Sequence, residues 1–312
     1  MAIIELISPP FRNETEALMS ASFEKRYHSI FFLKEESTLI AREGNSVIGG
    51  INLDIIPTKA QKIGYIGWLY VDSNHRGRGL AQALVDEAVL FLTNNGCTTI
   101  TACVEGDNYA SAKQLTGFTI MGPLQQLIHF GTGIFKLNNV AARSFDMGYF
   151  LYTNTAKEAK TNLLALGGTI ILNTLLLLPL YCKISILKPI TYSKTIFLIP
   201  ALTLIIRTAA MAIIAKKEGV YRGWDTAYLL GTILPFFFGV PFPVPGNVYL
   251  NGKPNPKTLK KMAIASTTAL SLLIILLPSW PLRIYPIILL IFDTIFWWYP
   301  FGGFNAARLR KG

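Results

Sequence analysis

Trp68-Leu69-Tyr70-Val71-Asp72-Ser73-Asn74-His75-Arg76-Gly77-Arg78-Gly79-Leu80-Ala81-Gln82-Ala83-Leu84 decides how the first half of this chain is read. The apolar run Ile63 to Val71 stops at Asp72-Ser73-Asn74, and apolar residues then recur at Leu80, Leu84, Val85, Ala88, Phe91 and Leu92. The first pattern predicts a strand; the second, with its 3.6-residue period and Gly96 placed to end it, predicts a helix laid on a sheet. Between them, His75 to Ala81 make a Gly-rich turn. Its glycines let the main chain approach a ligand, the first helical N–H groups lack intrahelical partners, and the helix dipole is positive there, which suits a pyrophosphate. Arg76 and Arg78 supply charge-assisted donors. Standing alone, so short a Gly pattern reads equally well as a plain turn before a basic helix start.

Outward from the turn, Ser37 to Arg42 and Ser46 to Leu53 are apolar, β-branched runs around Glu43-Gly44-Asn45, a hairpin signal. Thr98 to Val104 predicts another strand, Asn108 to Leu115 a short helix, and Phe118 to Phe130 a last extended piece. The order is α+β, a mixed sheet with flanking helices.

In this setting, residues 68 to 84 resemble the central motif of the GNAT acyltransferase superfamily, whose acyl-CoA loop reads Arg or Gln, two residues, Gly, one residue, Gly or Ala. Arg76, Gly79 and Ala81 fill those places. The resemblance covers roughly residues 3 to 130. It implies that Gly77, Arg78, Gly79, Leu80 and Ala81, with Arg76, bind the pyrophosphate of acetyl-CoA. It also implies that Leu69, Tyr70 and Val71 pair with the pantetheine arm at a splayed strand edge, and that Asn108 lies near the thiol end. The family chemistry is attack by an amine on the thioester, with a base, an oxyanion stabilised by backbone N–H groups, and an acid for the thiolate.

Two features depart from that pattern. Members often carry a carboxylate on the strand before the loop, whereas Ile63 to Val71 has none, and Gly64 and Gly67 stand in the expected places. Members also often place a Tyr seven residues after the Asn, where this chain has Leu115. The base is therefore unidentified. Glu105 and Tyr109 are the nearest substitutes, though each reads more readily as a loop carboxylate and a packing aromatic. His75 belongs to the phosphate loop, and His28 and His129 read as surface or packing histidines.

The second half belongs to a different solvent. Of the 312 residues 51% are apolar and 15% charged, against about 25% charged in ordinary soluble domains. Residues 1–150 hold 12 Lys and Arg against 14 Asp and Glu, and residues 151–312 hold 17 against 4. The expected division is therefore an acyl-CoA-binding domain over 1–150, a linker over 151–160 and an α-helical membrane domain over 161–312. Apolar windows at 161–182, 195–215, 262–282 and 284–301 predict about four spans, since about 20 residues cross a bilayer core. Thr226 to Gly252, uncharged but rich in Pro and Gly, reads as a re-entrant hairpin. Twelve Lys and Arg flank one side of the four spans and four the other, so an integral membrane protein with both termini cytosolic is expected. Cys97, Cys103 and Cys182 have no metal-type spacing and suit a reducing compartment, and Met1 to Pro10 has no signal-peptide pattern.

Ile205 to Val220 also resembles, weakly, the zinc helix of site-2-type intramembrane metalloproteases, and Pro243 to Leu250 their re-entrant hairpin. Pro300 to Ala306 falls where those proteins carry their third zinc ligand. Arg207, Thr208, Met211 and Asn305 occupy the metal-site positions, and residues 151–312 contain no His, so protease activity and a metal are excluded. Arg207 and Asp293 are the ionisable residues well inside spans, where charge is costly, and are expected either to approach each other or to line a cytosolic groove where the zinc site would have been.

These features predict a membrane-anchored, acetyl-CoA-dependent N-acyltransferase whose amine acceptor, protein or small molecule, is met at the cytosolic face of the bilayer. The alternative is a non-catalytic acyl-CoA-binding regulator whose protease-dead membrane half holds a client. The basic residues lack the clustered, aromatic-interleaved pattern of a nucleic-acid face, which excludes nucleic acid as a partner. Four spans without an inverted repeat argue against a carrier.

Overall fold

In a computed structural model, all residues are described except Met1, Phe32, Phe145, Met147, 156–162, 188–197, 224–225, 227–230, 232–241, 296–303 and 311–312. The chain forms two units. Met1–Val104, Ala110–Asp146 and Leu151–Ala159 make the first, and Glu105–Tyr109, Met147–Phe150 and Lys160–Gly312 the second.

The predicted hairpin and its neighbours build a sheet of β1 (Ile3–Leu6), β2 (Thr38–Glu43), β3 (Ser46–Pro57), β4 (Lys62–Val71), β5 (Thr99–Val104), β6 (Thr119–Ile120) and β7 (Phe150–Thr153), in the order β1-β2-β3-β4-β5-β7-β6. β1 to β4 form an antiparallel meander, while β5 runs parallel to β4. That change of direction requires a crossover, which α2 (Leu80–Asn94) supplies. α2 buries Leu84, Val85, Ala88 and Leu92 against Leu39, Ile51, Leu53, Ile66, Ile100 and Ala102.

The other face is covered by α1 (Arg12–Ser22), α4 (Pro123–Phe130) and α5 (Gly133–Arg143), with α3 (Tyr109–Ala112) before β6. There Ile56, Ile63 and Tyr65 pack with Met121, Phe130, Ile134 and Leu137, and Ile40, Val47 and Tyr70 with Met19.

β4 changes face part-way. Ile51 pairs with Leu69 and Leu53 with Ile66, so Gly67 and Trp68 together oppose Asn52, a β-bulge. Before it Ile66 points toward α2; after it Leu69 and Val71 do, and Trp68 and Tyr70 point away. Pairing with β5 ends at the same place, running only from Ile63↔Thr99 to Ile66↔Ala102.

Several expectations are corrected. Phe118 to Phe130 is not one extended piece, because Gly122-Pro123 starts a helix: Pro fits the first helical position and Gln125 Oε1 accepts from the Gly122 N–H at 2.9 Å. Leu151 to Thr153 lie in β7, and 156–160 lie outside the described residues.

In the second unit α6 spans Leu163–Leu187, α7 Ile199–Ala215, α8 Pro256–Leu276, α9 Trp280–Thr294 and α10 Ala306–Arg310, with a small hairpin of β8 (Gly219–Arg222) and β9 (Asn247–Leu250). Among the described residues two helices, Ile199–Glu218 and Pro256–Leu276, are long and apolar enough to cross a membrane. The window 262–282 straddles two helices, since the chain leaves α8 at Leu277, next to Pro278, and Pro after a helix end cannot continue it. The windows 195–215 and 284–301 and the hairpin 226–252 lie partly outside the described residues.

At the centre of this unit Arg207 donates two bonds to Asp293, Nε to Oδ2 at 2.8 Å and Nη2 to Oδ1 at 2.9 Å, and a third to the Gly246 carbonyl at 2.9 Å. Both side chains are fully buried, and Ser266 Oγ and Asn305 Nδ2 also donate to Asp293 Oδ2. The expected approach of Arg207 and Asp293 is thus observed. Met211 Sδ accepts from Asn305 Nδ2 at 3.4 Å, so Arg207, Met211 and Asn305 stand around one cluster. Residues 105–109 join this unit because Arg308 grips Asp107 with Nε and Nη2 at 2.7 and 2.9 Å while lying over the Tyr249 ring.

Removing one member of a buried pair strands the other charge, at a cost of about 3–5 kcal/mol, whereas replacing both by apolar groups can be nearly neutral. Melting of the full chain in detergent is expected to show Arg207→Leu and Asp293→Leu each strongly destabilised, and the double variant much less so than their sum. Strict additivity would show that the pair is not coupled.

Candidate active site

The Gly-rich turn is built by local bonds. Asp72 accepts from the Asn74 N–H at 2.8 Å and pairs with His75 Nδ1 at 3.0 Å, and these contacts, His75 first, hold its carboxyl below the usual range. Gly77 and Gly79 take φ of +79° and +81°, in the left-handed region that favours glycine, and a Cβ on either would meet nothing within 4 Å. Open space and left-handed geometry together leave the main chain accessible. Gly79 is the N-cap of α2, and the Ala83 N–H to Gly79 carbonyl bond at 3.1 Å is the helix's first, so the preceding N–H groups face outward.

A cleft of about 570 Å³ runs from this turn along the end of β4. The structure brings Leu69, Tyr70, Val71, Arg76, Gly77, Gly79, Leu80 and Ala81 to its walls. Arg78 lines an adjoining hollow beside Glu43 and His75. Arg76 Nε donates to the Val71 carbonyl at 3.1 Å, tying the turn back to the strand. Glu105, Asn108 and Tyr109 are not among the described lining residues. The Asn108 N–H closes a turn on the Glu105 carbonyl at 2.9 Å, and Tyr109 opens α3 with an exposed ring. Sequence reasoning missed Ser22, Phe23, Ser111, Lys113 and Gln114, which complete the cleft and carry no local signature.

The absence of a carboxylate at Gly64 has a packing cause. A Cβ there would lie 2.9 Å from Leu92 Cδ1, so α2 can approach the sheet only over glycine.

Acid–base groups gather elsewhere. Tyr65 of β4 donates a hydrogen bond to Asp146 Oδ2, and Cys103 of β5 lies against both. Burial pushes the Asp146 carboxyl up to about 8 despite the opposing Tyr65 hydrogen bond. Burial and the nearby Asp146 carboxylate raise Tyr65 and Cys103 well above their ordinary values. His129 is structural, its Nε2 bonding Thr99 Oγ1 at 2.9 Å.

Residues 1–115 match the family described as Acetyltransferase (GNAT) family. They carry a GNAT acetyltransferase domain. The activity this domain brings is N-acetyl transfer, with acetyl-CoA as donor. Among solved structures, a chain of the NatC complex bound to Gag peptide and CoA is 26% identical, over 38% of this chain and 86% of that one, at a TM-score of 0.34. A GNAT family N-acetyltransferase (YhbS) from Escherichia coli in complex with CoA is 25% identical, over 38% and 69%, at 0.33. Ribosomal-protein-alanine N-acetyltransferase from Brucella melitensis is 18% identical, over 36% and 86%, at 0.32. Comparison with curated proteins returned no match.

Two outcomes follow for this domain. Gly79→Glu forces a non-glycine residue into the left-handed region and sets a carboxylate where the phosphates would lie. Calorimetry should show acetyl-CoA affinity falling about 100-fold or more, roughly 2.8 kcal/mol, with Gly79→Ala intermediate.

The second concerns stability. The folded-state value of Asp146 is raised from 3.8 to about 8, so the stability linked to this carboxyl is full below its unfolded value and is lost as pH rises through about 8. Melting temperature should therefore decline over that window, and Asp146→Asn should flatten the decline. An unchanged slope would show that Asp146 is not shifted.

Proposed function

We propose that this protein is a membrane-anchored N-acetyltransferase that transfers the acetyl group of acetyl-CoA to an amine acceptor at the cytosolic face of a bilayer. One observation carries the reading. Beyond Ile66 the edge of β4 is free of β5, and that open edge leads to the outward-facing N–H groups of α2.

The residues present fit the donor. Main-chain N–H groups from Gly77 to Ala81, at the positive end of α2, would hold the pyrophosphate, with Arg78 and Lys113 adding positive charge. Leu69 to Val71 would pair with the pantetheine arm along the β4 edge that β5 does not cover, and Asn108 would lie toward the thiol. Acetyl-CoA supplies an activated thioester. The protein orients it along β4 and excludes water with Phe23, Leu69 and Leu80.

The membrane part of the proposal keeps about four spans, both termini cytosolic, and a domain boundary near 150–160. The two long apolar helices support it, as does Leu164–Leu177, a shorter apolar helix. So does α4, where Leu124, Leu127 and Ile128, spaced three and four residues apart, are all exposed. Such a ridge suits an interfacial contact. Anchoring raises the effective concentration of membrane-associated acceptors without any new contact.

A second reading, an acyl-CoA-binding regulator with a protease-like but metal-free membrane half, is favoured by one observation. Arg207, Met211 and Asn305, which occupy the metal-site positions in the sequence resemblance, converge on the Asp293 cluster. An Arg, a thioether and an amide do not make a zinc site.

Acetyl-CoA calorimetry on the full chain in nanodiscs, followed by thiol-release assays against a pool of primary amines, separates the two. Binding with turnover on at least one amine is expected. Binding without turnover on any would favour the regulator, and no binding would remove both.

A further inference from the structure

We propose that α4 and the first turn of α5 form a docking face for a bilayer surface carrying anionic lipid, an assignment that rests on the membrane reading of the second unit. The acetyltransferase domain then lies against the leaflet itself, through a peripheral contact distinct from any span.

The face is apolar at its centre. Leu124, Leu127 and Ile128 recur at the spacing that puts them on one side of α4, and they are 68%, 57% and 76% exposed. Phe135, in the first turn of α5 and separated from the end of α4 by a short turn at Gly131-Thr132, is 60% exposed. Among the described residues these are the four most exposed large apolar side chains of the first unit. Single exposed apolar residues are ordinary, whereas four on one helical hairpin mark a contact surface.

The ridge is held outward by what the hairpin buries. On the other side of α4, Gln126 and Phe130 are buried, and Gln126 Nε2 donates to the Met121 carbonyl at 2.7 Å. Ile134 and Leu137 of α5 join Phe130 in the cluster with Ile63 and Tyr65 of β4. Each helix thus buries one apolar face on the sheet and still shows another. A surface helix with no further contact carries polar residues there.

The charge around the ridge selects the partner. The turn between β3 and β4 packs on the hairpin: Gln61 Nε2 donates to the His129 carbonyl at 3.0 Å, and Lys136 Nζ to the Pro57 carbonyl at 2.7 Å. Thr58 Cγ2 lies where a Cβ on Gly133 would meet it at 2.9 Å. Lys59 and Lys136 therefore border the hairpin, and both are exposed. Neither residues 55–71 nor residues 108–145 contain an Asp or Glu, although residues 1–150 hold 14. An apolar centre, lysines at the rim and acid-free surroundings match an interfacial helix on an anionic leaflet. The apolar side chains enter the acyl boundary and the ammonium groups stay among the headgroups.

Full chains are to be reconstituted in vesicles of phosphatidylcholine alone, and of phosphatidylcholine with phosphatidylglycerol, each containing a nitroxide-labelled lipid as quencher. Ile128→Trp places a reporter on the ridge and Leu124→Trp a second one. Both positions are exposed, so neither change disturbs the core. Wild type supplies the background of the native tryptophans. In anionic vesicles both reporters should emit at shorter wavelength and be quenched more than wild type. The extra quenching should fall in neutral vesicles and in high salt, which screens surface charge. Adding Lys59→Glu and Lys136→Glu should lower the docked population by about fivefold or more for each lysine reversed.

Reporters quenched no more than wild type, in chains that stay with the vesicles through an alkaline carbonate wash, would overturn the docking face and leave the membrane reading intact. A shift to shorter wavelength without quenching would do the same, because a second copy or another protein surface would then cover the ridge. Equal quenching in the two lipids, unmoved by salt and by the lysine reversals, would overturn the anionic leaflet as partner. Chains stripped from the vesicles by carbonate would overturn the membrane reading, and the docking face with it.

Discussion

The β-bulge at Gly67 and Trp68 is the constraint on which the first unit depends. Two residues there oppose one, Asn52, so β4 reverses which side chains face α2 and turns out of line with β5. One local irregularity thereby frees a strand edge, opens the cleft along Leu69 to Val71 and sets Tyr65 just behind the point of separation. Gly67 is suited to it, because a Cβ there would press on the Asn52 carbonyl at 3.3 Å. Without the bulge, β4 could stay in line with β5 as far as Val104.

α2 turns that opening into a site with a charge preference. Its start is set by a left-handed Gly79, and its length is set by a stripe of Leu84, Ala88 and Leu92 that must cover the sheet. Close packing at Gly64 brings the helix down onto β4 and leaves no room for a side chain there. Packing and chemistry thus compete for one position. The acid–base groups lie instead on the opposite face, where Tyr65, Cys103 and Asp146 come from three separate elements.

The second unit is organised by a different balance. An ion pair among apolar helices is costly to desolvate and is retained only with its remaining hydrogen-bonding capacity met. Arg207 and Asp293 meet that condition through Gly246, Ser266 and Asn305. A guanidinium bidentate to a carboxylate also defines one geometry, which holds α7, α8, α9 and the start of α10 in a single arrangement. The same chemistry recurs at Arg308 and Asp107, and draws the short segment after β5 into this unit.

From sequence alone, the hairpin, β4, α2 and β5 were legible, because each carries its own period and its own punctuation at Gly44, Asp72 and Gly96. The Gly-rich turn was legible too, since left-handed glycines and a bare helix start are local properties. The approach of Arg207 to Asp293 could be foreseen, because two isolated charges in apolar segments have few other partners. What only the tertiary structure decided are the relations between distant segments. The bulge depends on register, the helix at Pro123 on packing, and the Tyr65–Asp146 contact on a chain that returns 81 residues later. Hydrogen-bond partners so far apart in sequence leave no periodic trace, so their meeting is set by the folded sheet and by nothing in either segment alone.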